Sequence, residues 1–467
     1  MKFRIAEVEV PASQPFKFDA LDRKPVVEFL RDLIKQIEGP FVLALDSPWG
    51  TGKTTVVRML RCLLEIEGFQ CVYFNAWKDD YVTDPLIPMV SAIDELKTDD
   101  DSTNESFRAS MAVVKKAVGP IAKRALKAAI KMGTMGVLDV DVAIESATAD
   151  AASEAASDLI DAFQKEKASL EQFRDELEKA VGKLSENDPP RPLIFFIDEL
   201  DRCRPSYAIE LLERVKHLFD VPNIVFVLSI DKKQLEAITA AVYGERIDAP
   251  EYLRRFIDLE YALPALHTKS YTRELIKRFE FKDFFEARKQ NSALAYDHDN
   301  FVEAFTLLAG MFDLPLRARE RCLTRLAVAI TLTPKDHYLD PIVLSLLLVL
   351  RIEEPDLYAG LIGGSIAPRD LMETLRQRPA ARELMASRVS TILEAYLIAG
   401  DVERERGEQV FKNLQELAKV EPDTASGLRA RALIDMQRHV GGNWGRNFSI
   451  KHVAGKVDLA AKVGDDY

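Results

Sequence analysis

The segment that most restricts the fold of this chain is residues 46–55, which read Asp-Ser-Pro-Trp-Gly-Thr-Gly-Lys-Thr-Thr. Residues 41–45 before it are apolar and short enough for a buried strand, and residues 56–65 after it have apolar side chains at helical spacing. A glycine-rich loop between a strand and a helix is typical of a phosphate-binding loop. The order of the three parts therefore predicts an α/β fold with a site for phosphate groups.

Each residue type in this loop has a chemical reason. Backbone N–H groups can approach phosphate oxygens only where no Cβ intervenes, and the helix that follows adds positive potential. The lysine is expected to reach the β- and γ-phosphates, and Thr54 to offer its hydroxyl to Mg²⁺. Ser47 departs from the pattern, which has glycine at that position. The residues predicted to contact the nucleotide here are Trp49, Gly50, Thr51, Gly52, Lys53, Thr54 and Thr55.

A second motif lies at residues 193–202, where an apolar strand ends in two adjacent carboxylates. Asp198 is expected to hold Mg²⁺ through water, and Glu199 to polarise the attacking water as general base. The simpler interpretation is a core strand that ends in a solvated acidic turn. Both motifs in one chain, in this order, favour binding of a nucleoside triphosphate.

A third strand is predicted over residues 223–231. Ligands of open α/β sheets bind at the carboxyl ends of the strands, so this strand should end beside the γ-phosphate. Ser229 or Asp231 is therefore a candidate for a polar residue that senses the phosphate or the attacking water. For Asp231, capping of the next helix is an equally good interpretation.

These motifs, together with residues 74–77 (Phe-Asn-Ala-Trp) and 251–256 (Glu-Tyr-Leu-Arg-Arg-Phe), resemble the KAP family of P-loop NTPases. The resemblance covers roughly residues 15–265, with a weaker similarity around Leu316-Arg317. It implies a P-loop domain of the additional-strand, catalytic-glutamate class that uses ATP and Mg²⁺. It also implies a parallel sheet with strand order 5-1-4-3-2.

Two further arginines are singled out by resemblance to AAA-type ATPases. Arg255, with Arg254 as the second choice, corresponds to an arginine that faces the γ-phosphate of a neighbouring subunit; a surface salt bridge is the alternative. Arg317 stands where similar ATPases have a sensor arginine in the lid. Arg319 is its alternative, and either could be an ordinary charge on a helix face.

Many KAP relatives carry transmembrane helices between the two nucleotide motifs. Here the intervening residues contain no run of 18 or more uncharged apolar residues, which a bilayer-spanning helix needs. A long helix or helical hairpin is predicted over residues 142–184. The preceding basic segment, residues 114–131, is interrupted at Gly119-Pro120 and admits two interpretations: peripheral contact with an anionic membrane, or a helix packed on its own domain with a solvated basic side.

Composition limits the function classes. The formal net charge of −12 argues against a surface that coats nucleic acid generally. The four cysteines have neither the spacing nor the histidine companions of a zinc site, and they predict cytosolic thiols. The N-terminus lacks the long apolar stretch of a signal peptide, so the expected location is cytoplasmic, with membrane-peripheral attachment as the variant.

The predicted architecture is a three-layer αβα core followed by helices. Residues 1–97 and 191–265 are expected to form a discontinuous P-loop core, 98–190 a helical insertion, and 266–467 a helical region that includes a lid and a part for partner binding. In that region, residues 341–350 predict a buried helix and 369–397 one long helix. The five strands are predicted at residues 42–46, 71–75, 193–198, 224–230 and 256–261.

The predicted function is Mg²⁺-dependent ATP hydrolysis that switches the conformation of a multiprotein complex. Family resemblance places this in bacterial anti-phage defence or related signalling, with a protein partner or a second copy of the chain. Two alternatives stay open. One is a scaffold that binds ATP with little turnover, and the other is an ATPase stimulated by nucleic acid; a kinase is the least favoured because Glu199 suits activation of water.

Overall fold

The computed structural model describes residues 2–5, 8–37, 39–96, 101–133, 149–184, 191–264, 268–441 and 448–458. The chain forms two compact units. The strand-containing unit comprises Val8–Asp19 and Arg23–Ala265. The helical unit comprises Met1–Glu7, Ala20–Asp22 and Leu266–Tyr467. The domain boundaries expected from the sequence stay a prediction.

The strand-containing unit is built on five parallel strands. In chain order they are β1 (Phe41–Asp46), β2 (Cys71–Asn75), β3 (Leu193–Asp198), β4 (Ile224–Ile230) and β5 (Leu259–Ala262). In the sheet they stand in the order β2-β3-β4-β1-β5, which confirms the predicted order read from the other edge. The central strands β3 and β4 are buried throughout, as expected for strands covered on both faces.

Helices cover both faces of this sheet. In chain order they are α1 (Lys24–Ile34), α2 (Lys53–Ile66), α3 (Ala76–Asp79), α4 (Leu86–Asp94), α5 (Asp101–Gly133), α6 (Ala149–Leu184), α7 (Pro205–Leu218), α8 (Lys232–Tyr243) and α9 (Ala249–Leu253). Because side chains alternate along a strand, Leu43 and Leu45 pack with α1 and α2, whereas Val42 and Ala44 pack in the core on the opposite face. The predicted three-layer core is confirmed.

Strand β5 begins three residues later than predicted. Residues 254–256 form a turn after α9, and the Phe256 N–H donates to the Leu253 carbonyl. Phe256 and Ile257 are buried, so their apolar character reflects core packing in a turn. Pairing with β1 starts when the Asp258 N–H donates to the Val42 carbonyl.

The long helices α5 and α6 lie between β2 and β3 in the chain and pack against each other. Helix α5 continues through Gly119-Pro120, where the sequence predicted a break. Val114, Val118 and Ile121 on either side are buried in the core, and this packing offsets the hydrogen bond that a proline removes. Of the helix predicted from residue 142, residues 142–148 lie outside the described part of the chain.

The helical unit has its own hydrophobic core. Its helices are α10 (Thr268–Arg278), α11 (Lys282–Arg288), α12 (Asp297–Met311), α13 (Leu316–Leu332), α14 (Pro341–Glu353), α15 (Pro355–Gly363), α16 (Pro368–Arg376), α17 (Ala381–Ala386), α18 (Arg388–Ala399), α19 (Arg404–Val420), α20 (Ala425–Gly441) and α21 (Ile450–Val457). Residues 341–350 of α14 are all buried. The single helix predicted over 369–397 is divided into α16, α17 and α18 by turns at 377–380 and at Ser387. Within the described residues, no helix combines the length and apolar character needed to cross a membrane.

Candidate functional site

The glycine-rich loop joins the end of β1 to the start of α2. Gly50 and Gly52 have positive φ angles of 78° and 90°, which side chains with a Cβ adopt only with strain. Ser47 lies outside the positive-φ region, and its hydroxyl donates to Thr51 Oγ1 at 2.7 Å. The loop therefore needs glycine at two positions and accepts serine at the position where the sequence departs from the usual pattern.

Contacts from the loop itself and from β4 hold this conformation. The Thr51 hydroxyl donates to the Pro48 carbonyl at 2.8 Å. The backbone N–H of Trp49 donates to Asp231 Oδ2 at 3.1 Å. This bond links the loop after β1 to the end of the neighbouring strand β4. Asp231 occupies the N-cap position of α8, yet its side chain makes no capping bond there. The sequence left two roles open for Asp231, a sensor of the phosphate or a cap of the next helix. In this structure the Asp231 carboxylate holds the loop in place.

Lys53 is the first residue of α2, and its ammonium group points back onto the loop. It donates to the Ser47 carbonyl and, at 3.3 Å, to the Pro48 carbonyl. Burial lowers the pKa of Lys53 below its ordinary value, and the carboxylates of Asp201, Asp231, Asp198 and Asp46 oppose that effect. These four carboxylates lie at or just after the carboxyl ends of β1, β3 and β4, so the ammonium lies among the acidic residues at this edge of the sheet.

The first turn of α2 presents Thr54 and Thr55, both partly buried. The Thr55 N–H donates to the Gly52 carbonyl. The N-terminus of a helix carries unsatisfied N–H groups and positive potential, which suits an anion. The two threonines thus lie where the sequence placed them, at the helix end that follows the loop.

The acidic end of β3 lies at the same edge of the sheet. Asp198 is 1% exposed, and it accepts hydrogen bonds from the Tyr73 hydroxyl at 2.8 Å and from the Glu199 N–H at 3.0 Å. Burial, followed by the neighbouring Asp198 carboxylate, raises the pKa of Tyr73, so its hydroxyl remains a donor. Tyr73 thus orients Asp198, a role that the sequence did not predict.

Glu199 adopts a left-handed backbone conformation with φ 61°. Its carboxylate is held from two sides: Asn75 Nδ2 donates to Oε2 at 3.1 Å, and the Arg202 guanidinium lies 2.5 Å from Oε1. Arg202 also lies over the Trp77 ring, 5.6 Å from its centroid. In this structure the predicted general base is therefore restrained by an amide and a cation.

Asp201 is a site residue that sequence reasoning missed. It is 4% exposed and lies in the 3₁₀ turn Leu200–Arg202, where it accepts a hydrogen bond from the Trp49 indole N–H. Burial raises its pKa above the ordinary value, and Lys53 and the indole oppose that effect. The available signal was that Asp201 is a third acidic residue, three positions after Asp198. Its partner Trp49, however, is 152 positions away in the chain.

Ser229 lies on β4 directly opposite Asp198 on β3 and Leu45 on β1. It is fully buried, and its hydroxyl has no hydrogen-bond partner within the described residues. A buried unsatisfied hydroxyl is costly and is an unusual feature of a folded core. The hydroxyl lies where a group bound at this edge of the sheet would form a hydrogen bond with it.

The structure does not bring Arg254 and Arg255 to the loop of the same chain. Both are exposed and precede β5, so they lie at the amino-terminal edge of the sheet, whereas the loop follows the carboxyl end of β1. Arg254 pairs with Glu251 at 2.9 Å, and the Arg255 guanidinium lies 5.9 Å from the Tyr252 ring centroid.

Arg317 and Arg319 belong to the helical unit. Arg317 is exposed on α13. Arg319 is buried and donates from Nε to the Leu314 carbonyl at 2.8 Å, and its Nη1 has no hydrogen-bond partner among the residues that the structure describes. Burial lowers the pKa of Arg319. A role for either arginine as a sensor stays a prediction.

The basic segment 114–131 packs on its own unit in the part whose side chains are described. Val114, Val118 and Ile121 are buried in the core, and Lys115 pairs with Asp94 at 2.9 Å. These apolar side chains are therefore not available to insert into a membrane. Membrane contact through residues 122–131, whose side chains lie outside the described part, stays a prediction.

Metal-binding residues are sparse in the described part of the chain. No group of three or more His, Cys, Asp or Glu side chains there could hold a metal ion. The oxygen donors that the sequence predicts for Mg²⁺ are the Asp198 carboxylate, which is buried, and the Thr54 hydroxyl. A Mg²⁺ ion held by one carboxylate, one hydroxyl and phosphate oxygens needs no larger protein cluster.

A parallel αβα sheet with a glycine-rich loop after β1 and an acidic end on β3 defines the class of P-loop NTPases. Residues 23–328 match the sequence model of the KAP family P-loop domain. The chain belongs to this family, and membership supports nucleotide binding.

Comparison with curated proteins gives no match. Among solved structures, the Aeropyrum pernix ORC2 protein, solved as ADPNP-ADP complexes, is similar over 94% of this chain and 93% of that one. The sequence identity is 13% and the TM-score is 0.30. A TM-score this low supports no conclusion about the function of this chain.

Proposed function

We propose that this protein binds ATP with Mg²⁺, hydrolyses it, and uses the nucleotide state as a conformational switch in a multiprotein complex. One observation carries the proposal. The Lys53 ammonium, the glycine-rich loop and the acidic end of β3 lie at one edge of the sheet: Lys53 donates to carbonyls of the loop, and the Trp49 indole of the loop donates to Asp201 just after β3. A bound phosphate, a bound cation and a water molecule would each have a suitable partner there.

Each residue would have a separate task. N–H groups of the loop and of the first turn of α2 would bind the phosphates. Lys53 would exchange the Ser47 and Pro48 carbonyls for phosphate oxygens. Glu199 would polarise the attacking water after it leaves Arg202 and Asn75. The unpartnered hydroxyl of Ser229 would gain a hydrogen bond to bound phosphate or water.

The donors present fit Mg²⁺. Thr54 would offer its hydroxyl, and Asp198, oriented by Tyr73, would hold the ion through water, because Mg²⁺ prefers oxygen ligands and retains part of its hydration. When bound, the ion neutralises charge on the phosphate oxygens.

The biological setting we propose is bacterial anti-phage defence or a related signalling complex. The partner would be another protein or a second copy of the chain. This part rests on the family, to which residues 23–328 match. Nucleotide-dependent ordering of a segment is the usual way in which such a site changes the engagement of a partner.

Titration calorimetry and a phosphate-release assay test the proposal with the unmodified protein and three variants. Lys53→Ala should weaken ATP affinity by about tenfold or more, because a charge-assisted hydrogen bond contributes about 1.5–3 kcal/mol. Glu199→Gln should bind ATP normally and lose turnover by about 10²-fold or more. Lys35→Ala, a surface lysine that pairs with Glu67, is the matched control. Absence of heat with ATP and GTP for the unmodified protein would refute nucleotide binding.

A nucleotide-gated scaffold is the second candidate, and one observation favours it. The Arg202 and Asn75 contacts to Glu199 restrain the residue that hydrolysis needs. A single-turnover experiment with excess protein separates the two. Conversion of bound ATP within minutes supports the switch that hydrolyses, whereas stable bound ATP supports the scaffold.

A further inference from the structure

A cavity of about 390 Å³ lies in the strand-containing unit, beside the acidic end of β3. Its lining includes Trp49 from the loop, Trp77 from α3, Asp201 from the 3₁₀ turn, and Ala237 and Ala241 from α8. The two alanines lie four residues apart, so their short side chains form one small-residue surface on the helix. None of the tasks proposed for ATP hydrolysis requires this cavity.

Two indole rings in the lining are open to solvent. Trp49 is 42% exposed and Trp77 is 51% exposed, although tryptophan usually buries most of its surface. The face of an indole attracts a cation more strongly than that of any other aromatic side chain. Arg202 already uses Trp77 in this way, with its guanidinium 5.6 Å from the ring centroid. The lining is therefore able to hold a guanidinium or an ammonium group.

A carboxylate adds negative charge to the same place. Asp201 lines the cavity, and the charge on Arg202 is neutralised by Glu199 at 2.5 Å, so Arg202 does not exclude a second cation in this structure.

We propose that this cavity is the docking site for a lysine or arginine side chain presented by a partner protein. The aliphatic part of that side chain would pack on Ala237 and Ala241, and its charged end would lie between the indoles and Asp201. A basic protein segment also complements the chain's net charge of −12, which disfavours nucleic acid. This docking does not depend on the proposed function.

Fluorine NMR of protein labelled with 5-fluorotryptophan tests the proposal, because the chain has three tryptophans, Trp49, Trp77 and Trp444. The probes are blocked pentapeptides of glycine with arginine, lysine, norleucine or glutamate at the centre. We expect the arginine and lysine peptides to shift the Trp49 and Trp77 signals at roughly millimolar concentration.

Three variants sharpen the result. Ala237→Arg fills the cavity with a cation of the chain itself, so peptide binding should be lost while calorimetric ATP binding is unchanged. Asp201→Asn should weaken the arginine peptide. Arg202→Gln frees the face of Trp77 and should bind the arginine peptide more tightly, a gain that misfolding would not give.

Several outcomes overturn the proposal. Equal binding of the norleucine peptide would mean an apolar cavity only, and preference for the glutamate peptide would reverse the expected charge. Absence of shifts at Trp49 and Trp77 in a protein that binds ATP would refute the docking site and leave the proposed function intact. Binding of the arginine peptide to a protein that gives no heat with ATP would do the opposite.

Discussion

Arg202 is the residue whose contacts bear most directly on turnover. Its guanidinium reaches both Glu199 and the Trp77 ring, and its side chain is 20% exposed. While this contact is present, the guanidinium occupies the Glu199 oxygen Oε1, which is then not free to bond to a water molecule. The contact must therefore be broken before Glu199 can act on water.

Replacement of Arg202 by glutamine should accordingly raise basal ATP turnover. A partly exposed ion pair contributes about 1 kcal/mol, so its removal should free the base about fivefold more often. Phosphate release at saturating ATP measures the effect.

Arg204→Gln is the matched control, because Arg204 lies two residues further on and bonds to the carbonyls of Asp80 and Val82 instead. Its turnover should stay at the level of the unmodified protein. A fall in turnover for Arg202→Gln would show that Arg202 orients the base in the reacting state.

Asp201→Asn should make stability less sensitive to pH. Burial raises the pKa of Asp201 in the folded chain, so the folded state binds its proton more tightly than the unfolded state does. Its contribution to stability is therefore lost as the pH rises from the unfolded value of about 4 through the raised folded value. Asparagine keeps an acceptor for the Trp49 indole and has no charge to bury.

The variant should then melt at a higher temperature than the unmodified protein at pH 8, and the difference should vanish at about pH 4. Thermal melts across this range measure it. A difference that grows towards acid pH would contradict the assignment.

At the residue scale, the sequence predicted the side chains whose roles follow from local spacing. Lys53 and Asp198 each sit in a short pattern with its own chemical logic. Asp201 and Arg202 could not be assigned in this way, because their roles depend on a 3₁₀ turn that directs them towards Trp49 and Trp77 from distant parts of the chain. The bracing of the loop by Asp231 required the same long-range knowledge.

Among the elements, helices α5 and α6 are the least expected part of the core. Phe107 and Phe173 on these helices are fully buried in the same cluster as Phe195 on β3. Phe173 also contacts Phe219 edge to face, with ring centroids 5.6 Å apart. The two inserted helices therefore share the hydrophobic core of the sheet.

Phe173→Ala should destabilise the strand-containing unit by about 3–5 kcal/mol, since it removes a buried aromatic side chain and leaves a cavity. Urea unfolding followed by circular dichroism measures the change. Phe18→Ala, at a phenylalanine that is 49% exposed, is the control and should change the free energy of unfolding little. Equal stability of the two variants would show that α6 does not contribute to this core.

The first and last residues of strands β2 and β3 were predicted correctly. A short apolar run bounded by polar residues is most simply interpreted as a buried strand of a parallel sheet. The start of β5 was wrong, since buried turn residues and strand residues look alike in sequence. The division of residues 369–397 into three helices was also missed. Apolar spacing persists across turns at 377–380 and Ser387 that packing imposes.

For the whole molecule, the position of Arg255 has a consequence for assembly. The arginine lies at the opposite edge of the sheet from the loop, and β1 between them is six residues long. At about 3.3 Å per residue this is roughly 20 Å, too far for one side chain. Arg255 can therefore act on a nucleotide only if that nucleotide is bound to another copy of the chain.

If Arg255 acts in this way, turnover per chain should rise steeply with protein concentration. Arg255→Ala should keep ATP affinity and lose turnover by about 10³-fold, whereas exposed Arg246→Ala should behave as the unmodified protein. Mixing Arg255→Ala with Glu199→Gln should restore part of the activity, because one copy supplies the arginine and the other the base. Turnover that does not depend on concentration would rule out this role.

The shared core of α5, α6 and the sheet limits how the gene could be shortened. A variant that lacks only α5 and α6 would keep every residue proposed to contact ATP, yet it would expose the side chains that now surround Phe195. Such a bare apolar face favours aggregation, so we expect poor yield from bacterial expression. We therefore expect that the segment between the motifs is retained for the solubility of the protein as well as for any partner that it binds.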